Sequence, residues 1–256
     1  MVTLVATLRA AGCVFAEEEA ALLTEAAAGP DELDEMVARR VAGEPLEQVV
    51  GWAEFCGLRV LVEPGVFVPR RRTEAMAREA VALARDASRH GRPVVVDLCC
   101  GAGALAVAVA AAVDDVELYA ADVEPAAVRC ARRNLAGRAE VLEGDLDAPL
   151  PARLRGRVDV LVANVPYVPT EEIDLLPAEA RLHEPRVTLD GGADGLRVLA
   201  RVAAAAPRWL APGGTVLCET SERQAAAALA ELAAAGLSGR VVHDEDLGAT
   251  VVIGTR

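Results

Sequence analysis

The stretch Val94-Val95-Val96-Asp97-Leu98-Cys99-Cys100-Gly101-Ala102-Gly103-Ala104-Leu105 decides how this chain is read. Val94–Leu98 is an apolar, β-branched run, the composition of a strand buried on both faces. Small residues and two glycines follow, and then an Ala-rich helix over Leu105–Val113. A strand that passes through a glycine turn into a helix brings free backbone N–H donors to the strand end, where a ligand can approach the main chain closely. Asp97 sits before the glycines and is expected on the ligand side.

Outward from this unit, strands and helices alternate. Glu117–Ala121 reads as a strand ending at Asp122, Pro125–Leu135 as a helix, Ala139–Glu143 as a short strand and Val158–Ala163 as a buried one. Leu196–Leu210 is expected to be helical and to end before Pro212-Gly213-Gly214. Thr215–Glu219 is then a strand, Arg223–Ala235 a helix, and Arg240–His243 and Thr250–Gly254 are the closing strands. Helices of about ten residues between strands imply a mostly parallel α/β sheet covered on both faces. The short connection between the last two strands makes one of them antiparallel. Upstream lie a helix over Thr73–Arg85, a β-hairpin with Glu63-Pro64-Gly65 as its turn and Val66–Val68 as its return, and two short helices separated at Gly29-Pro30. The expected division is a short helical region over 1–50, a hairpin linker over 51–72 and the α/β domain over 73–256.

Composition narrows the chemistry. All 26 basic residues are arginine and the net charge is -13. Without lysine there can be no Schiff-base or PLP enzyme and no P-loop of the usual Gly-Lys-Ser/Thr form. The acidic balance argues against broad nucleic-acid binding, which draws most of its affinity from phosphate neutralisation. The six cysteines show no Cys-x-x-Cys spacing, and no segment has the form of a signal peptide or a membrane span. A reduced, cytoplasmic protein with no membrane partner is expected. His90, His183 and His243 are too scattered to suggest a metal.

Three loops should meet at the C-terminal edge of such a sheet. In the first, Asp97 would repel a pyrophosphate but suits a ligand bearing an ammonium group, such as the amino-acid tail of S-adenosylmethionine (SAM). In the second, Asp122 lies about twenty residues beyond the glycines, where an acid can accept both ribose hydroxyls. That spacing would also serve NAD, and a helix N-cap is the plainer role for Asp122. Asp145, in Gly144-Asp145-Leu146, could face an adenine amino group, with Leu146 against the ring. The third loop is Asn164-Val165-Pro166-Tyr167. An amide or aryl-amine nitrogen is a poor nucleophile because its lone pair is delocalised. An Asn oxygen and a backbone carbonyl can orient its NH2, and an aromatic face can pack on the planar group. No base need act before transfer, since the nitrogen loses its proton more readily once methylated.

Together these residues resemble class I SAM-dependent methyltransferases, and more narrowly the protein-(glutamine-N5) methyltransferases of peptide-chain release factors, the PrmC or HemK group. The likeness covers about residues 43 to 256. It runs through Gly43-Glu44-Pro45-Leu46, Gly51-x-x-Glu54-Phe55-x-Gly57-Leu58, Pro64-Gly65-Val66-Phe67-Val68-Pro69-Arg70-x-x-Thr73-Glu74, the Asp97 and Asn164 loops, and Glu184-Pro185-x-x-x-Leu189-x-Gly191-Gly192-x-Asp194-Gly195. The resemblance implies a Rossmann-like fold with a seven-stranded sheet, and SAM as cofactor. Asp97, Cys99, Gly101, Gly103, Asp122, Val123, Asp145, Leu146 and Asn164 would line the SAM site. Asn164, Pro166 and Tyr167 would be catalytic. Phe67, Arg70, Thr73 and Glu74 would border the acceptor together with Asn164, Val165, Pro166 and Tyr167, and Glu184-Pro185 would support them.

The chain departs from the family pattern at three places. Val165 replaces the first proline of Asn-Pro-Pro-Tyr, and Arg71-Arg72 replace a proline and an acid. About forty residues precede Gly43, where the family has a longer helical region that contacts the release factor. The expected partner is therefore a protein substrate such as a release factor, or alternatively a small molecule. A SAM-binding scaffold without activity is the remaining alternative.

Overall fold

The computed structural model describes residues 2–256. Four short helices come first: α1 (Val2–Ala10), α2 (Ala16–Ala26), α3 (Pro30–Val41) and α4 (Leu46–Val50). Two helices were expected here. The chain breaks at two further places, after α1 and between α3 and α4, and Pro30 opens α3, where its missing N–H is no loss. Helices this short are unstable alone. Leu8, Ala16, Ala20, Leu23, Met36 and Val49 give them a small core of their own, and Arg40 bridges Glu19 of α2 to Glu179 beside the cavity described below.

The hairpin forms, but its turn is not at Glu63-Pro64-Gly65. β1 (Trp52–Phe55) pairs with β2 (Leu58–Leu61) through Cys56-Gly57. Both turn residues have positive φ, 52° and 71°, the type I′ pattern whose twist matches paired strands. Glu63-Pro64-Gly65 follows β2, and Val66–Val68 is not a strand. That segment is tied elsewhere, by Gln48 Nε2 donating to the Val66 carbonyl and by the Val68 N–H donating to Glu184.

After α5 (Glu74–Ala87) the order is β3 (Val94–Leu98), α6 (Ala104–Ala112), β4 (Glu117–Asp122), α7 (Pro125–Leu135), β5 (Glu140–Glu143), β6 (Val158–Ala163), α8 (Ala178–His183), α9 (Arg197–Trp209), β7 (Leu210–Thr220), α10 (Ala225–Ala234), β8 (Ser238–Asp244) and β9 (Ala249–Thr255). Seven strands form one sheet in the order β5-β4-β3-β6-β7-β9-β8, with β9 antiparallel to its neighbours. Successive side chains of a strand point to opposite faces. Val95, Val160, Val162 and Leu217 pack with residues of α5, α6 and α7, whereas Val94, Val96, Leu98 and Leu161 pack with residues of α9 and α10. Each central strand therefore presents apolar residues to both faces of the sheet.

Pro212-Gly213-Gly214 does not precede β7 but lies within it, where the pairing with β6 shifts register between Val158 and Val160. The chain leaves β3 toward β4 and β5 on one side, and β6 lies on the other. Such a switch point opens a crevice at the C-terminal strand ends.

Candidate active site

The residues that follow β3, β4, β5 and β6, and the end of β7, line one cavity of about 780 Å³. Phe67, Arg70, Thr73, Leu176 and Val187 are among those that close it. Among the described residues, three buried side-chain atoms lack a hydrogen-bond partner: Thr73 Oγ1, Asp97 Oδ1 and Glu219 Oε2. Thr73 and Glu219 line this cavity, and Asp97 belongs to the strand whose next residues, Cys99 to Ala102, line it. Folded proteins rarely leave such atoms unpaired. Their gathering at one crevice marks a place built for a polar ligand.

Asp97 is not on the open ligand side. It is fully buried, and its Oδ2 accepts the Ala106 N–H at 3.1 Å, capping the first turn of α6 from the side. Burial pushes its carboxyl up to about 8, against the pull of that N–H and with a further push from Asp122. Cys99 and Gly101 do line the cavity. Gly103 does not: a Cβ there would stand 3.3 Å from both Ala131 and Leu135, so the glycine serves the contact of α6 with α7. Spacing alone could not separate these two uses of a glycine.

Asp122 is not the N-cap of α7, a position held by Glu124. Its Oδ2 accepts the Gly101 N–H at 2.8 Å and its Oδ1 the Glu124 N–H at 2.9 Å, so one buried acid braces two cavity loops. Burial raises its carboxyl above the usual range, opposed by these backbone donors. Val123 exposes an apolar side chain on the lining. Leu146 lines it too, with φ at 51°. Asp145 is present but not free, since Arg201 donates to it at 2.8 Å.

Asn164, Val165, Pro166 and Tyr167 all line the cavity. Neither the Asn164 amide nor the Val165 carbonyl makes a hydrogen bond among the described residues. Tyr167 is held at both ends. Its hydroxyl donates to Glu219 Oε1 at 2.9 Å, and its carbonyl accepts Gln224 Nε2 at 2.9 Å. Burial, reinforced by the Glu219 charge, holds the phenol well above its ordinary pKa. Arg72 Nε donates to the same Glu219 oxygen at 3.1 Å, and the guanidinium stands 5.7 Å from the Tyr167 ring centre. Gly195 must be a glycine. Its φ is +77°, and a Cβ would lie 2.2 Å from the Tyr167 carbonyl oxygen.

The front wall is braced by Glu184, which accepts two hydrogen bonds from Arg70 Nη2, at 2.7 and 2.6 Å, and one from the Val68 N–H at 3.1 Å. Burial raises its carboxyl, and Arg70 opposes the rise. Arg70 also stacks on Phe67, 4.9 Å from the ring centre. Glu74 departs from expectation: it is off the lining, and its Oε1 accepts the Cys56 N–H at 3.0 Å, anchoring the hairpin turn to α5. Glu219, whose place at the end of a strand lets it line the pocket, does so. Arg72 and Gln224 are site residues that the structure adds, and of these two only Gln224 has a local signal, the capping box Ser221-x-x-Gln224. Among the described residues no cluster of three His, Cys, Asp or Glu could hold a metal, and no helix is long and apolar enough to cross a membrane.

Comparison with known proteins agrees with this geometry. The family described as "Methyltransferase small domain" matches residues 57–194, more than half of the chain. The release factor glutamine methyltransferase of Geobacter sulfurreducens is 36% identical over 224 residues, 86% of this chain and 76% of that protein. A 4-amino-L-phenylalanine/4-methylamino-L-phenylalanine methyltransferase of Streptomyces pristinaespiralis is 39% identical over 203 residues, 78% of this chain and 69% of that protein. A methyltransferase structure from Pyrococcus furiosus shares the fold, with a TM-score of 0.54 at 16% identity, covering 87% of this chain and 98% of that one. Sequence kinship over most of the chain, joined to a methyltransferase sheet with its crevice at the strand switch, shows that the chain belongs to the methyltransferase small domain family, in the branch of the release factor glutamine methyltransferases, and is a SAM-dependent methyltransferase.

Proposed function

We propose that the methyl acceptor is a glutamine side-chain amide of a protein, a peptide-chain release factor, and that methylation falls on its nitrogen. The observation that carries this is the pair of uncommitted oxygens at the end of β6. Asn164 and Val165 line the cavity, and neither Asn164 Oδ1 nor the Val165 carbonyl has a hydrogen-bond partner among the described residues. Two acceptor oxygens side by side suit the two hydrogens of an amide NH2 and hold its plane. Valine in place of proline at position 165 leaves that carbonyl unchanged. Pro166 stiffens the loop, and the Tyr167 ring offers the flat face for the amide. Phe67, Arg70 and Thr73 border the same space.

SAM supplies an electrophilic methyl group on its sulfonium. The chain's residues fit it. Asp97 Oδ1 is unpaired, and although burial favours its protonated form, an ammonium beside it would favour the carboxylate. Cys99 and Gly101 allow close approach of the main chain. Asp122 would accept the ribose hydroxyls, Val123 and Leu146 would pack on the adenine faces, and Asp145 with Arg201 would meet the adenine edge. Gly103 contributes through helix packing.

The test is mass spectrometry of a release factor before and after incubation with enzyme and SAM. One added methyl on the glutamine of its Gly-Gly-Gln motif is expected. An unmodified release factor beside a methylated small molecule would overturn the reading. One feature keeps that second acceptor class in view. Arg71 lines the cavity and has no carboxylate partner among the described residues. A small arylamine bearing a carboxylate, the class named for the Streptomyces pristinaespiralis relative, would suit it.

A further inference from the structure

Glu219 ends β7 in a position that the amide-gripping loop does not by itself explain. Ala163 and Cys218 are the last registered pair of β6 and β7, so Asn164 and Glu219 leave the two strands side by side. The Glu219 residue is only 2% exposed, yet it lines the cavity. Its two oxygens differ. Oε1 accepts the Tyr167 hydroxyl and Arg72 Nε, and Oε2 is buried with no partner. Two donors on one oxygen fix the orientation of the carboxylate and leave the other as the free acceptor. A carboxylate oxygen buried without a partner is costly, and the cost is removed when an N–H arrives.

We propose that Glu219 is a further catalytic residue of the methyl transfer, receiving through Oε2 the proton that the acceptor nitrogen sheds; this rests on the amide-acceptor reading above. The nitrogen lone pair forms the new N–CH3 bond while the S–CH3 bond breaks and its electron pair returns to sulfur. The nitrogen then carries positive charge and two hydrogens. One leaves as a proton to Glu219 Oε2, the electrons of that N–H bond return to nitrogen, and the neutral N-methyl amide remains. The protonated carboxyl passes its proton to water as product departs. While positive charge grows on the nitrogen, the same carboxylate stabilises it, a contribution made in the transition state and not in substrate binding.

The experiment compares wild type, Glu219→Gln, Glu219→Asp and Asn164→Ala with SAM and an intact release factor. For Glu219→Gln we expect kcat to fall about 10²-fold, with acceptor KM and SAM Kd within about threefold of wild type and thermal stability retained. Glu219→Asp keeps the charge and should recover part of the lost kcat. A Glu219→Gln enzyme with kcat within about twofold of wild type, or one whose loss lies wholly in KM or in SAM affinity, overturns the assignment. If Glu219→Gln does not fold, Glu219→Asp decides: a lowered kcat at unchanged KM supports the role, and an unchanged kcat overturns it. An active Asn164→Ala enzyme would instead refute the amide-gripping site. Inactive Asn164→Ala beside active Glu219→Gln would refute Glu219 alone.

Discussion

The Tyr167 hydroxyl donates to Glu219 Oε1 at 2.9 Å, joining the loop after β6 to the end of β7. Tyr167 lies in the loop after β6 and Glu219 near the end of the neighbouring β7, so the bond sets the ring of Tyr167 against the cavity before any acceptor enters. Gln224 holds the same residue by its carbonyl, from the turn that precedes α10. An aromatic pinned at both ends is pre-organised, which lowers the cost of placing a planar amide on it.

Replacing Tyr167 with Phe keeps the ring and removes the tether. One hydrogen bond to a buried carboxylate is worth about 1.5–3 kcal/mol. We expect kcat/KM to drop at least about tenfold with SAM affinity unchanged, measured by steady-state kinetics beside calorimetric titration of SAM. Retention of full activity would show that the tether is idle.

Asn164→Ala should lower kcat/KM by about 10²-fold or more, since orientation of the reacting nitrogen is lost. SAM binding should persist because Asp97, Gly101 and Asp122 are untouched. Titration with SAM separates the two effects.

Asp97 makes apo-protein stability pH-dependent with a defined sign. Its carboxyl is pushed up to about 8 in the folded chain from an ordinary value near 3.8. Between those values the folded state holds the proton and the unfolded state has released it, so stability falls as pH rises through this window. Asp97→Asn can still accept the Ala106 N–H and carries no charge. Its unfolding free energy, followed by urea titration from pH 4 to pH 8, should vary less than that of wild type. An identical slope in the two proteins would contradict the burial argument.

Gly195→Ala forces a Cβ against the Tyr167 carbonyl at a left-handed φ. A loss of roughly 1–3 kcal/mol is expected from the backbone strain, together with reduced turnover as the Tyr167 loop shifts. Denaturant midpoints and kcat should fall together while SAM binding holds.

Arg70→Ala leaves Glu184 buried without its cation. Removing one partner of a buried pair costs about 3–5 kcal/mol, reduced here because Arg70 is one-third exposed and the Val68 N–H still reaches the carboxylate. We expect a loss of about 1–3 kcal/mol. Arg70→Ala with Glu184→Gln should recover part of it, read by thermal unfolding of both variants.

Much of the fold was legible because its signals are local. Val94–Leu98 and Val158–Ala163 declare buried strands by composition, and glycines and prolines punctuate the helices between them. Where local signals competed, the reading slipped. Glu63-Pro64-Gly65 is a stronger turn signal than Cys56-Gly57, yet the hairpin turns at the latter. Proline has no N–H to offer the ladder, and the segment after it finds partners in Gln48 and Glu184. Gly103 and Glu74 stand in motifs but serve packing and hydrogen-bond needs of the scaffold that only neighbouring helices and turns create. Asp97 spends one oxygen on the Ala106 N–H and keeps the other unpaired.

The amino-acid order by itself determined the strand–helix alternation, the acids at the ends of β3 and β4, and the Asn164 loop. These depend on hydrophobic period and on residues adjacent in the chain. Only the tertiary structure decided what Tyr167, Arg72 and Glu219 do together. Tyr167 and Glu219 are 52 positions apart, and Arg72 and Glu219 are 147 apart. No periodicity links such positions. They meet because β6 and β7 pair in register at the edge where the front wall closes, and burial then leaves one carboxylate oxygen, Glu219 Oε2, without a hydrogen-bond partner among the described residues.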